Sequence, residues 1–247
     1  MARADNKTTR RTLELLEAFY RHRAPMSLTE LARALKAPIS SCHGIVRTLA
    51  GRGYLYNIDA GRSIYPTKRL LQIAEVISAN DPVLRRLAPL LADLRDASGE
   101  TVILGKRQEN VVVYLDVDES RQMIRYGAQP GDSRPLHSSA IGKALLAEMD
   151  AKTLDLWLAR NRLEKKTAHT ITSAKRLRSE LETGRALGYY SARGETTVDA
   201  TAVAIAVPLR SDTLGIAIAG PLPRIASQLK RHAGALLKLK RDILGWR

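Results

Sequence analysis

Residues 27–53, SLTELARALKAPISSCHGIVRTLAGRG, decide how the chain is read. Ser27 can cap a helix, Glu30 three residues on is its capping-box partner, and Leu28, Leu31, Ala32 and Leu35 recur at helical spacing. KAP breaks that run, Pro38 suits the first turn of a new helix, and ISSCHGIVRTLAG continues to a glycine stop. In this second helix Cys42, Ile45, Val46 and Leu49 fall along one side, with Ser40, Ser41, Gly44 and Arg47 along the other. Two short helices joined by a tight turn are the core of a helix-turn-helix.

The flanking segments complete the motif. TTRRTLELLEAFY (8–20) places Leu13, Leu16 and Phe19 or Tyr20 at helical spacing, which predicts a first helix ending near Arg23. YLYNIDAGRSIYPT (54–67) has apolar and aromatic runs on either side of DAGR, a hairpin pattern. Three helices followed by a hairpin make a winged helix-turn-helix, predicted over residues 1–67. In that motif the second helix of the pair enters the major groove, and short side chains near its N-terminus let the backbone approach bases and phosphates. Ser40, Ser41, His43, Gly44 and Arg47 are therefore the predicted DNA-facing residues, joined by Arg62 of the hairpin. The plainer reading is a surface helix whose glycine costs about 1 kcal/mol of propensity. A winged helix that docks on protein is the other alternative.

Charge supports a polyanion partner for this end of the chain. Net charge is +15 over 247 residues, and residues 1–69 hold 13 Lys and Arg against 5 acids. Residues 70–223 are nearly balanced, with 20 against 19, and residues 224–247 are again basic, with 7 against 1. A basic module beside a neutral one points to nucleic acid at the N-terminal part. With only 11 aromatic residues, stacking platforms for single strands are few, so a duplex is the expected partner. The single cysteine, Cys42, excludes an intramolecular disulfide and a multi-cysteine zinc site. No signal-like start and no long apolar run is apparent, so the expectation is a cytoplasmic protein without a membrane partner.

PTKRLLQIAEVISA (66–79) reads as a linker helix, assigned to residues 68–81 and closed by Asn80-Asp81-Pro82. Beyond Gly99, TVILGKR, NVVVYLDV and QMIRYGA read as strands, followed by helical segments at HSSAIGKALLAEM, AKTLDLWLARN and SAKRLRSELETGRALG. TAVAIAVPL and LGIAIAGPL are two apolar strands separated by RSDT, and a basic amphipathic helix is predicted over 225–246. Strands from two parts of the chain, joined by helices, predict an α+β domain over 82–247 with a mostly antiparallel sheet.

This order resembles the IclR family of bacterial transcription regulators over nearly the whole chain. SLTELARALKAPISSCHGIVRTLAGRGYL resembles the family's winged-helix stretch, RPLHSSAIGKALLA its effector-domain segment, and IAIAGPLPRI its late strand and turn. The resemblance implies a homodimer, often a dimer of dimers, that joins the DNA-binding domain through a linker helix to a GAF-like domain binding a small organic effector. It places the effector between the SSAIGK helix start and the late strands, which here offers Ser138, Ser139, Ala140 and Ile141 facing Ala217 and Ala219; Glu195, after a glycine in a strand-like segment, is a further candidate for the effector site. Departures are informative. Members commonly carry a basic residue near Ile39 and arginine at Gly44, and often two serines where Ala217 and Ala219 stand. GYYSARGETTVD (188–199) is also poorer in acids than the corresponding family segment.

Other chemistry is poorly represented. Gly142-Lys143 lacks the remainder of a phosphate loop, and His137-Ser138-Ser139 lacks the elbow of a nucleophile. Those serines, at the start of a helix, can be caps or can help to bind an anion, and both readings stand. His22, His43, His137, His169 and His232 show no metal-ligand spacing, so neither metal nor cofactor is expected. Glu195 taken alone reads as a solvated carboxylate, and the basic face of the last helix as a solvated surface. Together these features point to a ligand-responsive regulator that binds double-stranded operator DNA. The alternative is an enzyme carrying an N-terminal winged-helix docking or regulatory module.

Overall fold

The computed structural model describes residues 6–209 and 212–245. These divide into two compact units, one up to Pro82 and one from Val83.

In the first unit α1 (Lys7–His22) starts at Asn6, whose side chain accepts from the Thr8 and Thr9 N–H groups. The capping box forms as the sequence implies: Ser27 N–H donates to Glu30 at 2.7 Å, and Glu30 N–H to Ser27 Oγ at 3.3 Å, opening α2 (Leu28–Ala34). Pro38 stands immediately before α3 (Ile39–Gly51). β1 (Leu55–Ile58) and β2 (Ser63–Pro66) pair antiparallel around a single 3-10 turn, and Met26 bridges to Ile64. Leu15, Phe19, Leu31, Cys42, Ile45, Val46, Leu55 and Ile64 form the core, with Leu49 only half-buried against it. α4 (Arg69–Ala79) follows and buries none of its residues in the chain.

The second unit opens with α5 (Leu84–Ser98) and builds one antiparallel sheet from β3 (Thr101–Gln108), β4 (Val111–Asp118) and β5 (Ser133–Pro135). Next come α6 (Ala140–Ala147), α7 (Ala151–Arg160) and α8 (Ala174–Leu187). β6 (Tyr190–Arg193), β7 (Ala200–Leu209) and β8 (Asp212–Pro221) complete the sheet, and α9 (Leu222–Ser227) and α10 (Leu229–Leu244) end the described chain. The strand order is β5-β4-β3-β8-β7-β6. Strand alternation divides the core between the two faces. Val102, Leu104, Val203, Ile205, Ile216 and Ile218 pack with Leu87 and Leu91 of α5 and Leu236 of α10. Ala204, Ala206, Ala217 and Ala219 line the other face, beneath Leu145 of α6 and Leu177 and Leu181 of α8. Their small side chains let α6 lie close to the sheet. Gly142 serves the same purpose at the entry to α6, where an added Cβ would sit 2.2 Å from the Leu136 carbonyl oxygen.

Two expectations are corrected. QMIRYGA (122–128) is not a strand: Met123 is 95% and Ile124 71% exposed, and the position beside β4 is taken by β5 instead. The segment is held by local contacts, including Thr101 Oγ1 donating to the Tyr126 carbonyl at 2.8 Å. The helix predicted over 225–246 is two helices, divided at Gln228, where Ser227 Oγ donates to the Arg224 carbonyl at 2.9 Å and competes with the helical ladder. Trp246, and Arg210-Ser211 of the RSDT turn, lie outside the described residues.

Candidate functional sites: a recognition helix and a buried cavity

On α3 Cys42, Ile45 and Val46 are consumed by the core, leaving Ile39, Ser40, His43 and Arg47 exposed and Gly44 half-exposed. An added Cβ at Gly44 would meet nothing within 4 Å, so the fold itself does not require glycine there. Ser41 is less free than its position implies: its hydroxyl accepts from Arg11 of α1 at 2.8 Å, tying the start of α3 to the first helix. Arg62 is exposed on the hairpin. Cys42 is fully buried, and burial pushes its thiol pKa up, so the cysteine is a core residue rather than a reactive one. The exposed face combines a close-approach position with long cations around it, the arrangement a duplex groove requires.

In the second unit the start of α6, the floor of the sheet and the loop after β6 enclose a cavity with about 460 Å3 of empty space, its mouth included. The structure brings Ser138, Ser139, Ala140, Ile141, Glu195, Ala217 and Ala219 together on its walls. Tyr114, Tyr126 and Arg134 join them from the β4–β5 side. The first N–H groups of α6, at Ala140 and Ile141, have no acceptor within the helix. Ser139 is the N-cap: its hydroxyl accepts from Gly142 N–H at 3.2 Å and donates to the Pro135 carbonyl at 2.7 Å. Ser138 receives Thr196 Oγ1, at 2.8 Å to its carbonyl and 3.2 Å to its hydroxyl. His137 Nε2 lies 3.0 Å from the Glu164 carbonyl, so the imidazole is engaged there, and burial pushes its pKa down. Arg134 stacks 5.3 Å over the Tyr114 ring and donates to Tyr126 Oη at 3.2 Å.

Behind this wall lies a buried cation. Lys143, on the second turn of α6, is wholly inaccessible. Its ammonium donates to Glu195 Oε1 at 2.5 Å, to the Ser191 carbonyl at 3.1 Å and to Glu180 of α8. Three donors meet three acceptors, as burial of an ammonium demands. Glu195 is only 6% exposed, so it is not the solvated carboxylate that its isolation in the sequence implies. Burial raises its pKa, against the opposing pull of Lys143 and of the nearby Arg193 amide.

Residues 75–244 match the model of the bacterial transcriptional regulator IclR C-terminal domain, and residues 8–58 match that of the IclR helix-turn-helix domain. The chain belongs to the IclR family. It is a DNA-binding regulator of transcription with an effector domain, not an enzyme. Among IclR relatives, the HTH-type transcriptional regulator BhcR of Paracoccus denitrificans is 29% identical over 221 residues, covering 88% of this chain and 79% of that one. The IclR structure of Thermotoga maritima shares the fold with a TM-score of 0.82 at 23% identity, over 96% of each chain. An IclR homologue from Microbacterium hydrocarbonoxydans, solved with 4-hydroxybenzoate, has a TM-score of 0.71 at 21% identity, over 96% of this chain and all of that one.

Among the residues of these sites that escape a reading of the sequence are Arg11, Tyr114, Tyr126, Arg134 and Lys143. Arg11 and Lys143 lie within helical runs where a cation ordinarily marks the solvent face. Tyr114 belongs to a run read only as a strand. Arg134 opens the RPLHSSAIGK segment itself, and its place two residues before the buried Leu136 is the one signal that could have found it. Among the described residues no helix is long and apolar enough to cross a membrane, and no cluster of potential ligands could hold a metal ion.

Proposed function

We propose that this IclR-family regulator controls a catabolic operon by binding a pseudo-palindromic operator as a dimer or dimer of dimers. A partly apolar, aromatic carboxylic acid in the cavity is its effector. The observation that carries the reading is the composition of the cavity walls. On one side are the free N–H groups of Ala140 and Ile141 and the cation of Arg134; on the other is a floor of Ala202, Ala217, Ala219 and Ile103. The helix start and the guanidinium favour a carboxylate, while alanines leave apolar room for a ring. The 4-hydroxybenzoate bound by the Microbacterium homologue supports an acid of this class. A second copy is supported by α4, where Leu71, Val76 and Ile77 are 55%, 63% and 66% exposed in the single chain.

The test is a mobility shift with DNA upstream of its own gene, titrated with salt and with aromatic acids. Binding is expected to weaken steeply with salt, because phosphate neutralisation releases counterions. At least one acid should change the shift. Ala219→Trp, which fills the cavity floor, should bind operator normally and ignore the acid. Failure to bind at low salt sinks the operator reading, and a response to the acid at unchanged concentration by the Ala219→Trp variant sinks the cavity reading.

A further inference from the structure

Most polar groups on the cavity wall are already engaged within the protein. Ser139 Oγ makes two hydrogen bonds, Thr196 Oγ1 is spent on Ser138, and Tyr126 Oη accepts from Arg134. Glu195 is different. Its Oε1 accepts from Lys143, whereas its Oε2 is buried and, although the Arg193 amide lies near the carboxylate, is met by no donor in hydrogen-bonding geometry. Thr201 Oγ1 is also buried without a hydrogen bond; the residue borders the cavity, but strand alternation sets its side chain with Val203 and Ile205 on the other face of the sheet. It pairs across the ladder with Gly220, where an added Cβ would meet Glu100 and Ile225 rather than the cavity.

A buried carboxylate oxygen without a donor is costly, and a ligand that supplies one recovers that cost on binding. We propose that Glu195 Oε2 is the acceptor for the effector, which carries a neutral hydroxyl remote from its carboxylate and donates it to this oxygen. The assignment rests on the reading of the cavity as a carboxylic-acid site given above. Burial raises the Glu195 pKa and the Lys143 ammonium on Oε1 opposes it by favouring the ionised form, in which Oε2 is an acceptor. An alkyl group in the hydroxyl's place leaves Oε2 unpaired. An ammonium group would lie within one carboxylate's width of Lys143 Nζ, where like charges repel. The carboxylate of the effector is repelled by Glu195 and turns toward Arg134. That residue stands on β5, at the other edge of the sheet from the strand leading to Glu195.

The test is calorimetric titration of the full chain with benzoates carrying a meta or para hydroxyl, methyl or methoxy group, and with phenol. At least one hydroxyl isomer should bind about tenfold or more tightly than its methyl and methoxy counterparts. Glu195→Gln keeps an oxygen for Lys143 and turns an NH2 donor toward the ligand, so the methoxy acid should then equal or surpass the hydroxyl acid. A change of packing alone does not reverse that ranking. If Glu195→Gln melts before titration, the wild-type ranking decides. Equal affinity of hydroxyl and methyl acids in the wild type overturns the Glu195 assignment and leaves the carboxylic-acid reading standing. Phenol binding as tightly as the hydroxybenzoates sinks the carboxylic-acid reading, and the assignment that rests on it. If no benzoate binds, both fall.

Discussion

The two units place their functional groups differently with respect to their cores. In the N-terminal unit Ser40, His43 and Arg47 stand outside a closed cluster of Leu15, Leu31, Cys42 and Ile45, so the fold does not depend on them. In the C-terminal unit the corresponding groups are inside: Ser138, Glu195 and Lys143 are all buried, and each is tied to another element. Function and stability should therefore separate in the first unit and be inseparable in the second. That comparison can be broken by experiment.

The largest effect should come from Lys143→Met. Removing the ammonium leaves Glu195 as a buried charge without compensation, a loss expected to cost about 3–5 kcal/mol. Denaturation followed by probes in each unit should show the C-terminal transition shifting and the N-terminal one unmoved. Adding Glu195→Gln to the same chain should recover a large part of the loss, because the stranded charge is then gone. A Lys143→Met chain that melts like wild type would mean that the buried triad is not a structural element, and the contrast between the units would collapse.

This asymmetry also explains what the sequence discloses. The first unit was legible because its signals are local: Ser27 and Glu30 are three residues apart, and the turn, the glycine stop and the hairpin follow within one short stretch. β7 and β8 were legible too, as continuous apolar runs that only a sheet covered on both faces can absorb. β5 was not, since a strand of three residues containing a proline has no period to detect. QMIRYGA has strand-forming residues, but Met123 and Ile124 are adjacent rather than alternating, so they cannot share one buried face. The triad was hidden for a different reason. Lys143 meets Glu180 and Glu195 from 37 and 52 residues away in sequence, and only the packing of α6 between α8 and the β6–β7 loop brings them together. The six cavity residues named from the family resemblance and Glu195 do line one space, yet Arg134, Tyr114 and Tyr126, which complete its far side, do not emerge from the sequence.

On the N-terminal side the expected pattern is the reverse. Arg47→Ala should weaken operator binding by roughly 1–3 kcal/mol. Its melting curve should stay within about 0.5 kcal/mol of wild type, as for exposed substitutions generally. Ser41 is the intermediate case. Its hydroxyl holds Arg11, so Ser41→Ala should act on DNA through the position of that guanidinium, and Arg11→Ala should reproduce its effect. Equal operator affinity in Arg47→Ala and wild type would show that the wrong face of α3 has been assigned to DNA.

The smallest predicted change is also the most discriminating. Gly44→Ala places a methyl group where nothing lies within 4 Å, and Thr48 already spends its hydroxyl on the Gly44 carbonyl, so the free protein has no steric reason to resist it. Alanine in the interior of a helix is favoured over glycine by about 1 kcal/mol, so the N-terminal unit should become more stable by up to that amount. If the glycine is present to let the helix approach the groove wall, the same substitution should weaken operator binding, giving a protein that folds better and binds worse. Family members commonly carry arginine at this position, which suggests the opposite cause, that a phosphate contact has been given up here. The two explanations diverge on a second variant. Close approach predicts that Gly44→Arg binds still more weakly than Gly44→Ala, whereas a missing cation predicts that it binds more tightly than wild type with a steeper salt dependence. Unchanged operator binding in Gly44→Ala, together with gained affinity in Gly44→Arg, would move base and phosphate reading from the short-residue face to the cations that flank it.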